Sequence, residues 1–187
     1  MFQKQLPYTT LPQESIVYMH NELLDVVDKD DAVIAQEPRS IVHAKQLCHR
    51  AVHIMVFNDQ GLLFLQKRSM KKDLNQGLWD TSAAGHVDAG ESYATCALRE
   101  LREELGVCVD ELEPLFKLQP SNDLGMEFIQ VYRCLHNGPF SLATDEIDEG
   151  CWQDQATLDA RAARNDPTLT LTFKIIWQRF RNTAGVD

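Results

Sequence analysis

The segment from Gly85 to Val107, GHVDAGESYATCALRELREELGV, constrains the fold of this chain more than any other part of the sequence. Apolar residues recur in its second half at helical spacing, which predicts an amphipathic α-helix with one face on a core. At about 100° per residue, the residues expected to face the core form one narrow stripe. They are Ala94, Ala97, Leu98, Leu101 and Leu105.

Three carboxylates share a second face of this predicted helix, well away from the apolar stripe. Glu100, Glu103 and Glu104 lie at positions i, i+3 and i+4, where like charges repel by roughly a few tenths of a kcal/mol per pair. One interpretation is an ordinary solvated acidic face. The other is a site for Mg²⁺, which prefers carboxylate oxygens and shares its coordination with waters and substrate phosphates.

The residues around these carboxylates favour the metal site. Glycines and charged residues stand at fixed spacings before and after them, which a solvated face would not require. This spacing of glycines, glutamates and arginine resembles the Nudix box of the Nudix hydrolase superfamily. The resemblance extends over about residues 46–181 and implies an α/β (α+β) Nudix fold, which is an α/β/α sandwich around a mixed central sheet. The matched positions are Gly85, Glu91, Arg99, Glu100, Leu101, Glu103, Glu104, Gly106 and Val107.

The resemblance implies a hydrolase that cleaves the pyrophosphate linkage of a nucleoside or other organic diphosphate with Mg²⁺ or Mn²⁺. Glu100, Glu103, Glu104 and the Gly85 carbonyl would be the metal ligands. The metal would neutralise the pyrophosphate and lower the pKa of bound water.

Two further box residues have supporting catalytic roles in this resemblance. Glu91 would lie at the helix N-terminus, and Arg99 would orient the catalytic carboxylates through charge-assisted hydrogen bonds. The general base stays open, because in the superfamily it is either a box glutamate or a later residue. The later candidates are Glu127 and Glu146, each of which could equally be an ordinary solvated acid.

Candidate substrate contacts lie before the box. The basic cluster Lys67, Arg68, Lys71 and Lys72 follows a predicted strand, and we expect Arg68 and Lys72 to contact phosphate, unless the cluster is a solvated loop. Trp79 could stack on a base, although a packing role is the alternative. Glu127 completes the predicted substrate contacts.

The chain also resembles a narrower group, isopentenyl-diphosphate isomerase and the Nudix hydrolases similar to it. This resemblance rests on the segments LLDVVDKDDAVIA, CHRAVHIMVFNDQGLLFLQKRS and GLWDTSAAGH. His49 and His86 match two metal-binding histidines of the isomerase, but packing or a loop contact would explain them in a hydrolase. Ala84 stands where the isomerase has a cysteine that takes part in proton transfer.

The intact box and the missing cysteine favour hydrolase over isomerase, because an alkene isomerase needs a proton donor and an acceptor on opposite faces of its substrate. A third class, a non-catalytic Nudix-like module that binds a nucleotide or a partner, commonly lacks box carboxylates. No box carboxylate is missing here.

The flanking sequence predicts the remaining elements. A hairpin from about Leu24 to Gln36 surrounds the turn DKDD, and a second joins AVHIMVF to GLLFLQKR. A loop should follow from Ser69 to Ala84, then strands in LEPLFKLQP and MEFIQVYRCL. Helices should follow in DQATLDARAARND and LTLTFKIIWQRFRN, the last with a threonine N-cap.

We expect one Nudix domain over residues 1–187. Residues 1–45 would form a tail, irregular over 1–20, and the hairpin; residues 46–182 would form the core, with the box at 85–107. Five scattered cysteines predict free thiols. The net charge of −10 disfavours binding of a nucleic-acid polymer. Without a signal peptide or a membrane-length apolar run, we expect a cytoplasmic protein that binds no membrane. A homodimer fits the resemblance.

Overall fold

The computed structural model describes residues 22–184, so the tail predicted over residues 1–20 lies outside the described residues. The first described elements confirm the predicted N-terminal hairpin. Strands β1 (Leu23–Val27) and β2 (Val33–Pro38) pair antiparallel. A short helix that the sequence did not predict, α1 (Arg39–Lys45), follows directly.

The Asp28 carboxylate closes the hairpin turn, because its Oδ1 accepts hydrogen bonds from the backbone N–H groups of Asp30 and Ala32. Aspartate is a preferred turn residue for this reason.

The central sheet within residues 22–184 has seven strands, in the order β5-β4-β3-β8-β7, with β6 paired to β3 and β9 paired to β4. It is mixed, because β3 runs parallel to β8 while the other strand pairs described in this sheet are antiparallel. The strands are β3 (His49–Phe57), β4 (Leu63–Arg68), β5 (Trp79–Asp80), β6 (Ala83–His86), β7 (Glu113–Leu118), β8 (Glu127–Leu135) and β9 (Ile147–Gln153).

The expectation of a loop from Ser69 to Ala84 is wrong in part, because this segment contains β5 and the start of β6. The two arms of the second predicted hairpin pair only at Phe57 and Leu63. Beyond that point β6 pairs with β3 and β5 pairs with β4. Strands of four and two residues are too short to show a period in the sequence.

Helices begin and end where local chemistry allows. Helix α2 (Tyr93–Leu105) begins after Ser92, whose hydroxyl accepts a hydrogen bond from Thr95 N–H, and ends at Gly106 with φ 69°. Helices α3 (Gln155–Ala163) and α4 (Leu171–Ala184) confirm the two predicted C-terminal helices. The hydroxyl of Thr170 accepts a hydrogen bond from Phe173 N–H, as expected of the predicted threonine N-cap.

Two apolar clusters occupy opposite faces of the sheet, which confirms the predicted α/β/α sandwich. Alternate residues of β3 enter different clusters, with Ile54 facing α2 and Met55 facing α3 and α4. A small third cluster lies under the N-terminal hairpin. All five cysteines are free. None of the helices between residues 22 and 184 has the length and apolar character needed to cross a membrane.

Candidate active site

A single cleft of about 1500 Å³ collects most of the predicted site residues. Helix α2, strand β6, the hairpin, α1 and the loops around residues 71–75 and 143–146 border it. Trp79 and Glu91 are not among its lining residues. The predicted residues that it brings together are Arg68, Lys72, Gly85, Arg99, Glu100, Glu103, Glu104 and Glu127.

Two of the three box carboxylates are buried, contrary to the expectation that all three lie well away from the buried face. Glu100 and Glu104 are 9% and 4% exposed, whereas Ala94, expected to face the core, is exposed. The buried face of α2 also includes Cys96, so it is rotated by about 70° from the predicted apolar stripe. The rotation occurs because the protein provides polar partners for these carboxylates.

Glu104 is held by two neutral donors. Its Oε2 accepts hydrogen bonds from Gln66 Nε2 and from the backbone N–H of Ala84, both at 3.1 Å. Burial, followed by repulsion from Glu100, raises the pKa of Glu104 to about 8. Glu104 forms no ion pair with the described residues, so a cation in the cleft would relieve a real electrostatic cost.

Glu100 lies against the strand that precedes α2. A Cβ atom at Gly85 would overlap Glu100 Oε1, so any other residue at this position would displace the Glu100 carboxylate. Arg99 donates from Nη1 to Glu100 Oε1 at 2.6 Å. Burial nevertheless raises the pKa of Glu100, because desolvation outweighs the attraction to Arg99.

Arg99 links the carboxylates to the loop before the helix. Its Nε and Nη2 donate to the two oxygens of Glu91 at 3.1 and 2.9 Å, and Nη2 also donates to the His86 carbonyl. Glu91 in turn accepts from the Asp88 N–H. Glu91 therefore orients Arg99 and lies behind the cleft rather than in it.

The third box carboxylate, Glu103, lies at the open side of the cleft. Its side chain is 50% exposed and is 3.3 Å from Arg99 Nη1 and 3.8 Å from Arg102 Nη2. It can therefore move toward a ligand at little cost.

The predicted phosphate contacts already have partners in this structure. Lys72 donates to Glu146, and Arg68 donates from Nε to the Leu74 carbonyl at 3.2 Å. Trp79 packs against the apolar cluster under α4, with the Lys67 ammonium 5.9 Å from its ring centroid. The packing alternative therefore describes Trp79 better than base stacking.

A second group of possible metal ligands lies in the same cleft and includes a residue that the sequence did not reveal. His43 from α1, His49 from β3 and His86 from β6 each place one ring nitrogen within 4.8 Å of the others. Glu127 Oε1 lies 3.6 Å from His49 Nε2 and 3.4 Å from His86 Nε2. Because α1 was not predicted, nothing in the sequence pointed to His43.

The donor chemistry of this histidine cluster fits a divalent cation. The Nε2 atoms of His43 and His49 are buried and have no hydrogen-bond partner among residues 22–184. His49 Nδ1 lies 2.9 Å from the Leu47 carbonyl, so Nδ1 carries the proton and Nε2 offers a lone pair. Imidazole nitrogens with a carboxylate suit Zn²⁺, Mn²⁺ or Fe²⁺.

The ionisable groups of the histidine cluster change one another's pKa values. Burial lowers the pKa of His86, but its hydrogen bonds to Glu127 and Glu22 outweigh burial and raise it to about 9. Burial lowers the pKa of His43 to about 4. Burial raises the pKa of Glu127, yet the neighbouring His49 and His86 rings outweigh burial and bring it well below its usual range.

Comparison with known proteins gives one consistent family. The family model described as NUDIX domain matches residues 48–172. An uncharacterized Nudix hydrolase of Yersinia pestis is 34% identical over 146 residues, which are 78% of this chain and 80% of that protein. The isopentenyl-diphosphate Delta-isomerase of Serratia proteamaculans is 35% identical over 161 residues, 83% of this chain and 89% of that protein.

A solved structure agrees. The crystal structure of DR0079 from Deinococcus radiodurans has a TM-score of 0.74 and 28% identity, and the match covers 84% of this chain and 98% of that one. These findings confirm both predicted resemblances, to the Nudix hydrolases and to the isomerase-like subgroup. The chain belongs to the Nudix hydrolase family.

Proposed function

We propose that this chain is a Mg²⁺- or Mn²⁺-dependent hydrolase that cleaves the pyrophosphate linkage of a nucleoside or other organic diphosphate. One observation carries the proposal. Glu100 and Glu104 are buried side by side at the cleft, and Arg99 is the one described cation within ion-pair distance of Glu100, while Glu104 has none. When both carboxylates are ionised, one cation leaves the site net negative, which favours a divalent ion.

The donor set fits Mg²⁺ or Mn²⁺. Glu100, Glu104 and the Gly85 carbonyl offer oxygen ligands, and Glu103 can add another from the open side. Arg99 and Gln66 hold the two buried carboxylates in place from behind. A bound divalent cation would neutralise the diphosphate and acidify water.

The cleft also provides cations for a diphosphate. Lys72 would exchange its contact with Glu146 for a phosphate oxygen, and Arg39 and Arg68 line the same cleft. The exchange frees Glu146, which then joins Glu103 as a carboxylate able to accept the proton of the attacking water. Glu127 is less available for this role because it is engaged with two histidines.

The test is hydrolysis of a panel of diphosphates by the purified chain with Mg²⁺ or Mn²⁺, with products identified by mass spectrometry. Glu100→Gln and Glu104→Gln should lower kcat by about 100-fold or more, because each removes a ligand charge. Glu149→Gln is the matched control, since Glu149 lies outside the cleft and pairs with the exposed Lys67. Unchanged turnover in both box variants would refute the proposal.

Isomerisation of isopentenyl diphosphate is the second candidate function, favoured by the histidine cluster and by the name of the Serratia relative. Ala84 counts against it, because no cysteine is among the described residues that line the cleft. The chain with Mn²⁺ and a reductant should therefore not convert isopentenyl to dimethylallyl diphosphate. Conversion detected by proton NMR would favour the isomerase instead.

A further inference from the structure

Two buried polar side chains form the floor of the cleft and have no role in the proposed hydrolysis. His53 from β3 is 5% exposed and Asp80 from β5 is 3% exposed, and both line the cleft. They lie beside each other, with His53 Nδ1 3.8 Å from Asp80 Oδ1. Among residues 22–184 the buried side-chain atoms without a partner are His43 Nε2 and His49 Nε2, so the unpaired atoms of His53 and Asp80 are open to the cleft and indicate what it receives.

The hydrogen bonds around His53 fix which of its nitrogens is free. The Thr81 hydroxyl donates to the Ala83 carbonyl, so Thr81 Oγ1 accepts from His53 Nδ1, at 2.7 Å. Burial lowers the pKa of His53, which keeps the ring neutral. Its Nε2 is therefore a hydrogen-bond acceptor, with no partner among residues 22–184.

Asp80 also presents an acceptor. Its Oδ1 accepts from Thr81 N–H at 2.8 Å, whereas the nearest described cation to its Oδ2 is Arg68 Nη1 at 3.9 Å. A carboxylate repels phosphate oxygens, so this floor does not suit the diphosphate itself. It suits the neutral group that the diphosphate carries.

The register places this floor next to the box carboxylates. His53 is the cross-strand partner of Ala84, and Asp80 is the partner of Gln66. Ala84 N–H and Gln66 are the two donors that hold Glu104. Each floor residue is thus one cross-strand step, about 5 Å between Cα atoms, from a group that contacts the box.

We propose that His53 and Asp80 form a subsite for a hydroxyl-bearing, sugar-like group attached to the substrate diphosphate, a specificity that rests on the proposed hydrolase function. Hydroxyl groups would donate to His53 Nε2 and to Asp80 Oδ2. A hydrocarbon group at the same place would remove both acceptor atoms from water and offer them no donor, which is costly. The subsite therefore selects against alkyl and alkenyl diphosphates.

Binding is measured by isothermal titration calorimetry of the full chain in Ca²⁺, with ribose 5-diphosphate and n-pentyl diphosphate. The two compounds share the diphosphate and five carbons and differ in their hydroxyls. Ribose 5-diphosphate should bind about 100-fold more tightly, because a site built for hydroxyls rejects an analogue that lacks them. Equal affinities, tighter binding of the pentyl compound, or no binding of either would overturn the proposal.

Substitutions at Asp80 and His53 test whether these two residues cause the preference for ribose 5-diphosphate. Asp80→Asn should reduce the ribose 5-diphosphate affinity about tenfold and leave the pentyl compound unchanged. Asp145→Asn, the same change at the exposed rim, should leave the preference intact. His53→Phe keeps an aromatic ring but removes the acceptor nitrogen. It should also reduce the ratio of the affinities for ribose 5-diphosphate and n-pentyl diphosphate. Circular dichroism checks folding, and a preference unchanged in every folded floor variant would overturn the proposal.

Parallel turnover assays in Mg²⁺ separate this proposal from the hydrolase itself. Preferential binding of ribose 5-diphosphate without hydrolysis of either compound would refute the proposed function and support the subsite. Hydrolysis of both compounds with equal affinities would support the hydrolase and refute the subsite.

Discussion

Replacing Glu104 with glutamine should inactivate the protein and at the same time stabilise it in the absence of metal. Oε2 alone accepts both hydrogen bonds, from Gln66 and from Ala84 N–H, so an amide oxygen can take its place. The amide nitrogen then occupies the position of Oε1. The substitution therefore keeps the contacts and removes the charge that burial and Glu100 disfavour.

The magnitude follows from the pKa of Glu104, which rises from 4.5 to about 8 on folding. Each tenfold change in proton affinity is worth about 1.4 kcal/mol, so the ionised carboxylate costs the folded protein at most roughly 5 kcal/mol. Relaxation and water penetration reduce such penalties, and we expect a gain of about 1–3 kcal/mol. For a chain of this length that corresponds to a Tm increase of about 3–9 °C.

The stability gained by Glu104→Gln should depend on pH. An acid whose folded pKa is raised costs nothing below its unfolded pKa of 4.5 and costs most above its folded pKa of about 8. The advantage of Glu104→Gln should therefore be absent near pH 4.5 and should grow as pH rises through about 8. Mg²⁺ should raise the Tm of the wild type and not that of the variant, because the variant lacks a ligand charge.

The assay is thermal unfolding followed by circular dichroism from acidic to alkaline pH, with EDTA or with Mg²⁺. Glu103→Gln is the matched control for stability, since its side chain is 50% exposed and the same atoms change. It should alter the metal-free Tm by less than about 2 °C. If, in EDTA above pH 8, the Tm of Glu104→Gln is equal to or lower than that of the wild type, the reasoning is refuted.

Three further predictions concern the surroundings of the box. Gly85→Ala should lower turnover at least about tenfold and destabilise the fold by about 1–3 kcal/mol, because its Cβ overlaps the Glu100 carboxylate, and kinetics with chemical denaturation would show both. Asparagine tolerates the φ of 64° at position 31, and Asp31→Asn should cost about 1–3 kcal/mol in urea unfolding because it weakens the partly buried ion pairs of Asp31 with Arg50 and Lys117. An unchanged free energy of unfolding would contradict this. In metal-free protein, the wild type should be more stable than His86→Gln, with the full difference below pH 6.5 and none once pH has risen through about 9. A difference in Tm that does not depend on pH would argue against this.

Much of the fold could be predicted from the sequence, because its elements are long or have turn and capping residues at their ends. Both hairpins have turn residues between β-prone arms, and α2, α3 and α4 have helical periodicity and recognisable ends. Strands β5, β6 and β9 were not predicted. Segments of two to seven residues with glycine and acidic residues, such as IDEGCWQ, satisfy no simple period, and only pairing with β3 and β4 makes them strands.

The box residues were identifiable because their spacing is fixed, but their burial was not. A helical wheel divides a helix into apolar and polar faces and contains no partner from another strand. Gln66 and the Ala84 N–H lie in other strands, and they are what allows Glu104 to be buried. His43 and the floor residues His53 and Asp80 were missed for the same reason, since each becomes part of the cleft only through long-range pairing.

The two groups of possible metal ligands are joined at β6, where Gly85 and His86 are consecutive. Gly85 packs against the Glu100 carboxylate, while the His86 ring contacts Glu127. The His86 carbonyl also accepts a hydrogen bond from Arg99, so the same strand residue is anchored to the box. A shift of β6 would therefore change the surroundings of both groups.

The chain is similar both to proteins named as Nudix hydrolases and to one named as an isomerase, and β6 is the strand on which the two candidate functions differ. Strand β6, which lies between the two groups of possible ligands, is fixed by pairing with β3 at four positions, from Ala51 to Ile54. Residue 84, by contrast, contributes only its backbone N–H to Glu104, so its side chain is free to change without loss of that contact. The choice between alanine and a thiol at this position can therefore alter the chemistry while the fold and both ligand groups stay in place.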